Sequence, residues 1–366
     1  MTGCVPADRR LERQASLRAA AEAEGLDGLL ITHLPNIRYL TGFTGSAALL
    51  LVRMDATILI SDFRYAAQAP AEVGSAALVE IDQRSVWEKL GRVIASRPPA
   101  SLGIESHSLT VRDAERVSSL TRGRVVPTAE LVEGLRAVKA PEEVAAIRVA
   151  ASLAQAALAE VLPGIRPGLT EREIAAVLEG ALRRQGSEWH PFPTIVASGP
   201  RSALPHARTS DRVIGAGELL LLDFGAQADG YCADLTRTVV VGGRADDRQR
   251  TVHELVQTAQ RRAIEHLRPG MPAREGDALA RDVIAARGFG EAFGHSLGHG
   301  LGLEVHEAPR LAPTSDIPLP PHAVVTVEPG IYFPGWGGVR LEDDVYLGPD
   351  GTECLSDGRT ELLELV

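Results

Sequence analysis

The chain is poor in cysteine and has no run of basic residues. Its three cysteines, Cys4, Cys232 and Cys354, are odd in number, far apart and in no C-x-x-C pair. This excludes a disulfide framework and a zinc finger, and it leaves three thiols expected to be inert in a reducing compartment. The formal net charge is -10 at pH 7, and without a basic patch this argues against nucleic acid or an anionic membrane surface as partner. The opening "MTGCVPADRRLERQ" lacks an apolar signal region, and no later segment offers the roughly 20 uninterrupted apolar residues of a membrane span. The expectation is a cytoplasmic protein acting on small molecules or peptides.

With 366 residues, two domains are expected. From Arg10 to Glu24 the pattern is helical; "LDGLLI", "AALLLV" and "ATILIS" read as strands and "YLTGFTGS" as a Gly/Thr turn between them. Helix and strand alternate to about Val126, and Asp62, Arg64 and Tyr65 at a strand end read as structural. Near residue 134 the texture becomes a long alanine-rich helix opened by Pro141, which places the boundary between domains 1–133 and 134–366.

The second domain contains an internal repeat. "IRPGLTEREIAAVLEGALRRQG" and "LRPGMPAREGDALARDVIAARG" start at 165 and 267 and share Arg-Pro-Gly, a helical body and a closing Gly. Each copy follows another long helix (142–162 and about 246–266) and precedes apolar strands. Two related helix-helix-strand-strand halves follow, with room for a site between them.

The polar residues at the strand ends carry the chemistry. In "ELLLLDFGAQADGYCADLTRTVVVG" an apolar strand ends at Asp223, a turn centres on Asp229-Gly230, and a second strand carries Asp234. In that hairpin Asp223 faces Thr236 and Asp234 faces Gly225, on one side of the sheet. The second half repeats the arrangement, with Glu328 ending "AVVTVEPG" and Arg340 and Glu342 two apart in "GGVRLEDDVYLG". Either aspartate alone reads equally as a turn former. Four acids converging at core strand ends, however, remain ionised together only if cations compensate them. Four carboxylates and an imidazole suit Mn²⁺, Co²⁺ or Zn²⁺, in a site able to hold two ions and acidify a water. His295 and His299 in "GHSLGHGLGLEVHE" have the i, i+4 spacing of a helical zinc site. The interleaved Gly294, Gly298, Gly300 and Gly302 instead favour an extended or looped segment.

"LDFGAQADGYCADLTRT", "GHSLGHGLGLEVHE", "TVEPGIY" and "GVRLEDD" resemble the M24 metallopeptidase family with the pita-bread fold, nearest to its Xaa-Pro aminopeptidases and Xaa-Pro dipeptidases (prolidases). "NIRYLTGFTGSAALLLV" and "DFRYAAQA" are similar to the creatinase-like N-terminal domain of those enzymes. The resemblance implies a mixed α/β (α+β) chain, with a creatinase-like α/β domain followed by a pseudo-two-fold pita-bread domain. It further implies that Asp223 holds one metal, that Asp234 and Glu342 bridge two, and that His299 and Glu328 complete the other. His206 in "SALPHARTSD", His306, His295 and Arg340 match residues lining the site, and any of the four also reads as a surface or hydrogen-bonded side chain.

On that resemblance the expected reaction is hydrolysis of the bond between an N-terminal residue and a following proline in short peptides. Glu328 is the expected proton shuttle, and His306 and His206 the donors to the oxyanion and the substrate backbone. His295, His306 and Arg340 would shape the proline site. The segment "PGIYFPGWGGVRL" has no extra arginine loop to grip a C-terminal carboxylate, which tips the expectation to aminopeptidase, with dipeptidase as the alternative. Manganese is the expected metal, and a homodimer is implied by resemblance. The competing readings are a methionine aminopeptidase, a metal-free creatinase-like hydrolase, and a pita-bread binding module without catalysis.

Overall fold

The structure is a computed structural model that describes residues 7–356 and 358–366, so Cys4 lies outside the described residues. The described chain divides into two compact units at the Arg136–Ala137 bond.

In the first unit, α1 (Ala7–Ala23) leads into β1 (Gly28–Ile31), α2 (Leu34–Thr41), β2 (Ala48–Arg53), β3 (Thr57–Asp62), α3 (Gln68–Val73) and β4 (Leu78–Asp82). Then α4 (Val86–Ser96), β5 (Ser101–Glu105), α5 (Val111–Leu120), β6 (Arg124–Thr128) and α6 (Leu131–Arg136) complete it. The strands form one sheet in the order β4-β3-β2-β1-β5-β6, with β1 antiparallel to β2 and parallel to β5. Leu30, Leu49, Leu51, Ile60, Leu102 and Ile104 bury one core with Leu90 and Ile94 of α4 and Val117 of α5.

One expectation changes in this unit. Part of "YLTGFTGS" is helical: Tyr39, Leu40 and Thr41 form the last turn of α2, with Ile37 and Leu40 buried and Gly42 closing the helix at φ 79°. Helix α6, the last element of this unit, is bound to α2. Arg136 Nη1 donates to Asn36 Oδ1 at 2.7 Å and Tyr39 Oη to the Leu135 carbonyl at 3.2 Å. Asp62 caps the turn that follows β3 and pairs with Arg64, while Tyr65 bonds Ser46, all structural contacts.

The second unit begins with α7 (Pro141–Val161) and α8 (Glu171–Gln185), then β7 (Ile195–Ser198), β8 (Glu218–Phe224), the two-residue strands β9 (Gln227–Ala228) and β10 (Tyr231–Cys232), and β11 (Leu235–Val241). The sequence then repeats itself as α9 (Asp247–His266) and α10 (Ala273–Ala285), followed by β12 (Gly298–Gly300), β13 (Glu307–Leu311), β14 (Val324–Val327), β15 (Gly330–Phe333), β16 (Gly337–Arg340), β17 (Asp343–Gly348), β18 (Gly351–Cys354) and β19 (Glu364–Leu365).

The helices start at recognisable caps. Thr170 and Glu173 form a reciprocal capping box at α8, and Asp246 and Gln249 form another at α9. Helix α7 with the turn after it is long and apolar enough, by length and composition, to cross a membrane. Its Ile147, Ala150, Ala151, Ala154 and Leu158 stripe is nevertheless packed inside the domain.

The two halves match element by element. One sheet runs β19-β11-β8-β7 and the other β13-β12-β14-β17-β18, so the antiparallel series β7-β8-β11 corresponds to β12-β14-β17. Even the bridges at the helix starts recur, Thr170 with Val213 and Pro272 with Pro318. Each half fills its own core: Leu220, Leu222, Val239 and Val241 against α7 and α8, and Val325, Val327, Val345 and Leu347 against α9 and α10.

Leu222 is fully buried, so Leu222→Ala should lower unfolding stability by about 2–5 kcal/mol. Asp246→Ala, which removes only a helix cap, should cost about 1 kcal/mol. Urea unfolding at unchanged slope measures both, and equal losses would contradict this packing.

Candidate active site

The first hairpin is closed by Asp229 and Gly230, with φ 48° and 76°. Both central residues lie in the left-handed region, as a tight turn between twisted strands requires. In the ladder Asp223 pairs with Thr236, and Asp234 precedes β11. In the second half Glu328 follows β14 directly and Glu342 precedes β17 directly. The acids therefore occupy equivalent places: Asp223 and Glu328 at a strand's end, Asp234 and Glu342 before the returning strand.

Arg340 and Glu342 were expected on one continuous strand, but the strand breaks between them. Arg340 ends β16, and the backbone of Glu342 turns aside to the other half. The Glu342 N–H donates to the Thr236 carbonyl at 3.1 Å, and Arg237 Nη1 donates to the Glu342 carbonyl at 2.6 Å. Thr236 Oγ1 donates to Glu342 Oε2 at 2.6 Å. These bonds join the two halves and place the second pair of acids beside the first.

All nine residues singled out in the sequence line one cavity of about 950 Å³: His206, Asp223, Asp234, His295, His299, His306, Glu328, Arg340 and Glu342. Phe192, Pro193 and Val305 supply an apolar wall, and Arg208 and Arg310 also line it.

Asp234, His299 and Glu342 bring ligand atoms within 4.8 Å of one another. His299 Nδ1 stands 3.0 Å from the Gly300 carbonyl and so carries the hydrogen, leaving the Nε2 lone pair for the cavity. That Nε2 faces Asp234 Oδ2 at 3.9 Å and Glu328 Oε1 at 3.5 Å. Burial lowers the His299 pKa to about 4, which keeps the imidazole neutral and able to ligate. The flanking glycines make this approach possible: a Cβ on Gly298 would lie 2.0 Å from the Thr326 carbonyl oxygen, and one on Gly300 2.1 Å from that of Ala308. Strand β12 can thus sit between β13 and β14 with His299 as its only side chain. The i, i+4 spacing of the two histidines belongs to no helix.

The acids are held where water cannot solvate them. Burial raises the pKa of Asp234 well above normal, with Asp223 and Glu328 adding to it, and does the same to Glu342, reinforced by Asp234 and Glu328. Glu328 is pushed up to about 8, chiefly by burial. Asp223 is raised by burial too, against the opposing charge of Arg340, whose Nη2 donates to Asp223 Oδ2 at 2.5 Å. One guanidinium faces four carboxyls, and Asp234 Oδ1 is buried without a hydrogen-bond partner. An orphaned carboxylate oxygen, a neutral imidazole lone pair and surplus buried acids make a donor set that fits divalent cations.

Around this core runs an ordered chain of donors. Arg340 Nη1 donates to Tyr332 Oη at 2.9 Å, Tyr332 donates to His295 Nε2 at 2.9 Å, and His295 Nδ1 donates to the Ser296 carbonyl at 2.8 Å. Burial drives His295 to about 4 and Tyr332 up to about 12, which fixes the protons in that direction. Arg340 Nη1 also holds the Pro205 carbonyl at 3.2 Å, one residue before His206. His306 is exposed at the wall, its ring centroid 4.2 Å from that of His299. No role follows from the sequence for Tyr332 or Thr326, nor for Thr236 beyond its place opposite Asp223. Tyr332 stood inside the quoted "TVEPGIY", but no spacing rule separates a site tyrosine from a packed one.

Comparison with known proteins agrees with this construction. The sequence model described as Metallopeptidase family M24 matches residues 145–349, and that of the Creatinase/Prolidase N-terminal domain matches 13–138. The chain is 35% identical to a Xaa-Pro dipeptidase of Pyrococcus horikoshii over 93% of this chain and 96% of that one. Among solved structures, a Xaa-Pro dipeptidase from Bacillus anthracis superposes with TM-score 0.94 at 40% identity, covering 97% of this chain and 100% of the other. An X-Pro aminopeptidase from Thermotoga maritima superposes with TM-score 0.89 at 37% identity, covering 96% and 99%. The chain, a creatinase-type N-terminal domain followed by a pita-bread domain whose buried acids call for divalent metal ions, belongs to metallopeptidase family M24 and is a peptidase.

Proposed function

We propose that this protein is an Xaa-Pro dipeptidase, hydrolysing dipeptides whose second residue is proline. The observation that carries it is the buried cluster of Asp223, Asp234, His299, Glu328 and Glu342 in a chain matched almost end to end by proteins named Xaa-Pro dipeptidase. This reading departs from the aminopeptidase expectation. Arg208 and Arg310 reach the cavity wall from a loop and from β13, outside the 329–341 segment. Either guanidinium can meet the free carboxylate of a dipeptide. The second reading, an Xaa-Pro aminopeptidase, rests on the likeness to the Thermotoga maritima protein.

Asp223 would hold one metal, Asp234 and Glu342 would bridge two, and His299 and Glu328 would complete the second. Manganese heads the candidates, with cobalt and zinc also suited to oxygen-rich sites with one imidazole. When bound, such a pair supplies a water acidic enough to attack at neutral pH and polarises the scissile carbonyl.

The chain's own residues do the rest. Glu328, with Oε1 steadied by the Thr326 hydroxyl at 3.3 Å, takes a proton from the attacking water and returns it to the proline nitrogen as the C–N bond breaks. His306 and His206 donate to the oxyanion and the substrate backbone, a single well-aimed donor being worth about 3 kcal/mol in the transition state. His295 and Arg340, locked together through Tyr332, shape the proline side. Catalysis thus belongs to the second unit, and a cytoplasmic homodimer is part of the same proposal.

Dipeptides of the Xaa-Pro type should be turned over with kcat/KM at least about tenfold above that for longer peptides beginning Xaa-Pro, a difference of about 1.4 kcal/mol. The reverse ranking assigns an aminopeptidase, and equal rates on Xaa-Ala dipeptides remove the preference for proline. Asp234→Asn should lose bound metal and reduce turnover on the order of a hundredfold or more. An active, metal-free Asp234→Asn protein would sink the proposed ligand set.

A further inference from the structure

We infer that the N-terminal unit holds a metal site of its own, in which His33, His107 and Glu133 bind a divalent transition-metal ion of the zinc class. The topology puts the residues together. Strands β1 to β4 are laid down side by side, and the chain then crosses back to add β5 and β6 on the other flank of β1. The direction of winding reverses between β1 and the parallel β5, and the crevice at the carboxyl ends of such a strand pair is where open α/β sheets bind ligands. His33 lies two residues beyond the end of β1, His107 two beyond the end of β5, and Glu133 lies in α6.

Ligand atoms of the three side chains lie within 4.8 Å of one another. His107 Nε2 is 3.2 Å from His33 Nδ1 and 3.2 Å from Glu133 Oε1. A neutral imidazole nitrogen carries one hydrogen or one lone pair, so Nε2 cannot make a full hydrogen bond to both neighbours. A cation between them satisfies all three atoms at once. With ligand bonds of about 2.0–2.1 Å, the edge of a tetrahedron is roughly 3.3–3.4 Å, close to both separations.

The surroundings hold the donors in place. Asn36 Nδ2 donates to Glu133 Oε1 at 2.5 Å and to Glu105 Oε1 at 2.7 Å, and Arg136 fixes the Asn36 carbonyl. Glu105, itself buried, accepts from the backbone N–H groups of Thr32 at 2.6 Å and His33 at 2.8 Å. The loop carrying one histidine and the carboxylate facing the other are thus tied to the same pair, Asn36 and Glu105, as outer-shell partners of metal ligands usually are. His107 is exposed, so solvent reaches the cluster and a water can take a fourth position. Two imidazoles and one carboxylate suit zinc in tetrahedral coordination.

The full-length protein, saturated with Zn²⁺ and then desalted, should carry one more zinc per chain than His107→Gln or Glu133→Gln treated alike. The variants should keep the parent's circular dichroism spectrum and a single cooperative urea-unfolding transition, which shows that they fold. Loading with Co²⁺ should add a tetrahedral absorption band in the parent protein that both variants lack. Equal zinc counts in parent and variants would overturn the site and leave a hydrogen-bonded His-His-Glu cluster, whatever the fate of the dipeptidase reading.

Discussion

The second unit is arranged around a repulsion. Four carboxyls sit at the ends of core strands in a cavity with an apolar wall of Phe192, Pro193 and Val305, and Arg340 is the cation that pairs directly with one of them, Asp223. Burial, reinforced by the charge of the neighbouring carboxylates, pushes Asp234, Glu328 and Glu342 toward their neutral forms. A divalent cation reverses that preference, because its charge stabilises the ionised forms that burial opposes. The cluster is therefore unfavourable as bare protein and favourable as a metal site.

The duplicated half explains how so many acids meet. A single hairpin offers two positions near its open end, one at the close of the outgoing strand and one at the start of the return. Pairing two such hairpins doubles them, and the Thr236–Glu342 bridge joins the copies. That bridge interrupts the strand between Arg340 and Glu342, so the guanidinium is turned to Asp223 while the carboxylate is turned to Asp234. Glycines 298 and 300 serve the same end from a different direction, letting backbone pass where a methyl group would collide.

Much of this was legible in the chain. The repeat, the long helices, the Asp229-Gly230 turn and the acids at strand ends all depend on local chemistry: apolar periodicity, caps and residues that accept positive φ. The creatinase-like strands were equally plain. The last turn of α2 was misread because Thr-Gly pairs mark turns, while the burial of Ile37 and Leu40 that extends the helix is a tertiary effect. Tyr332 and Asn36 went unremarked for a similar reason, since neither stands in a spacing that distinguishes a network from ordinary packing.

What the sequence determined by itself was the inventory: which acids and imidazoles the chain owns, and at which strand ends they stand, because strand and turn signals act over a few residues. Only the tertiary structure decided who faces whom. His299 and not His295 points its lone pair at the carboxylates, Arg340 locks onto Asp223 and Tyr332, and His33 meets His107 across two strands distant in the chain. These choices come from sheet order and from backbone packed too closely to admit a side chain, and neither is local enough to be written in a short stretch of residues.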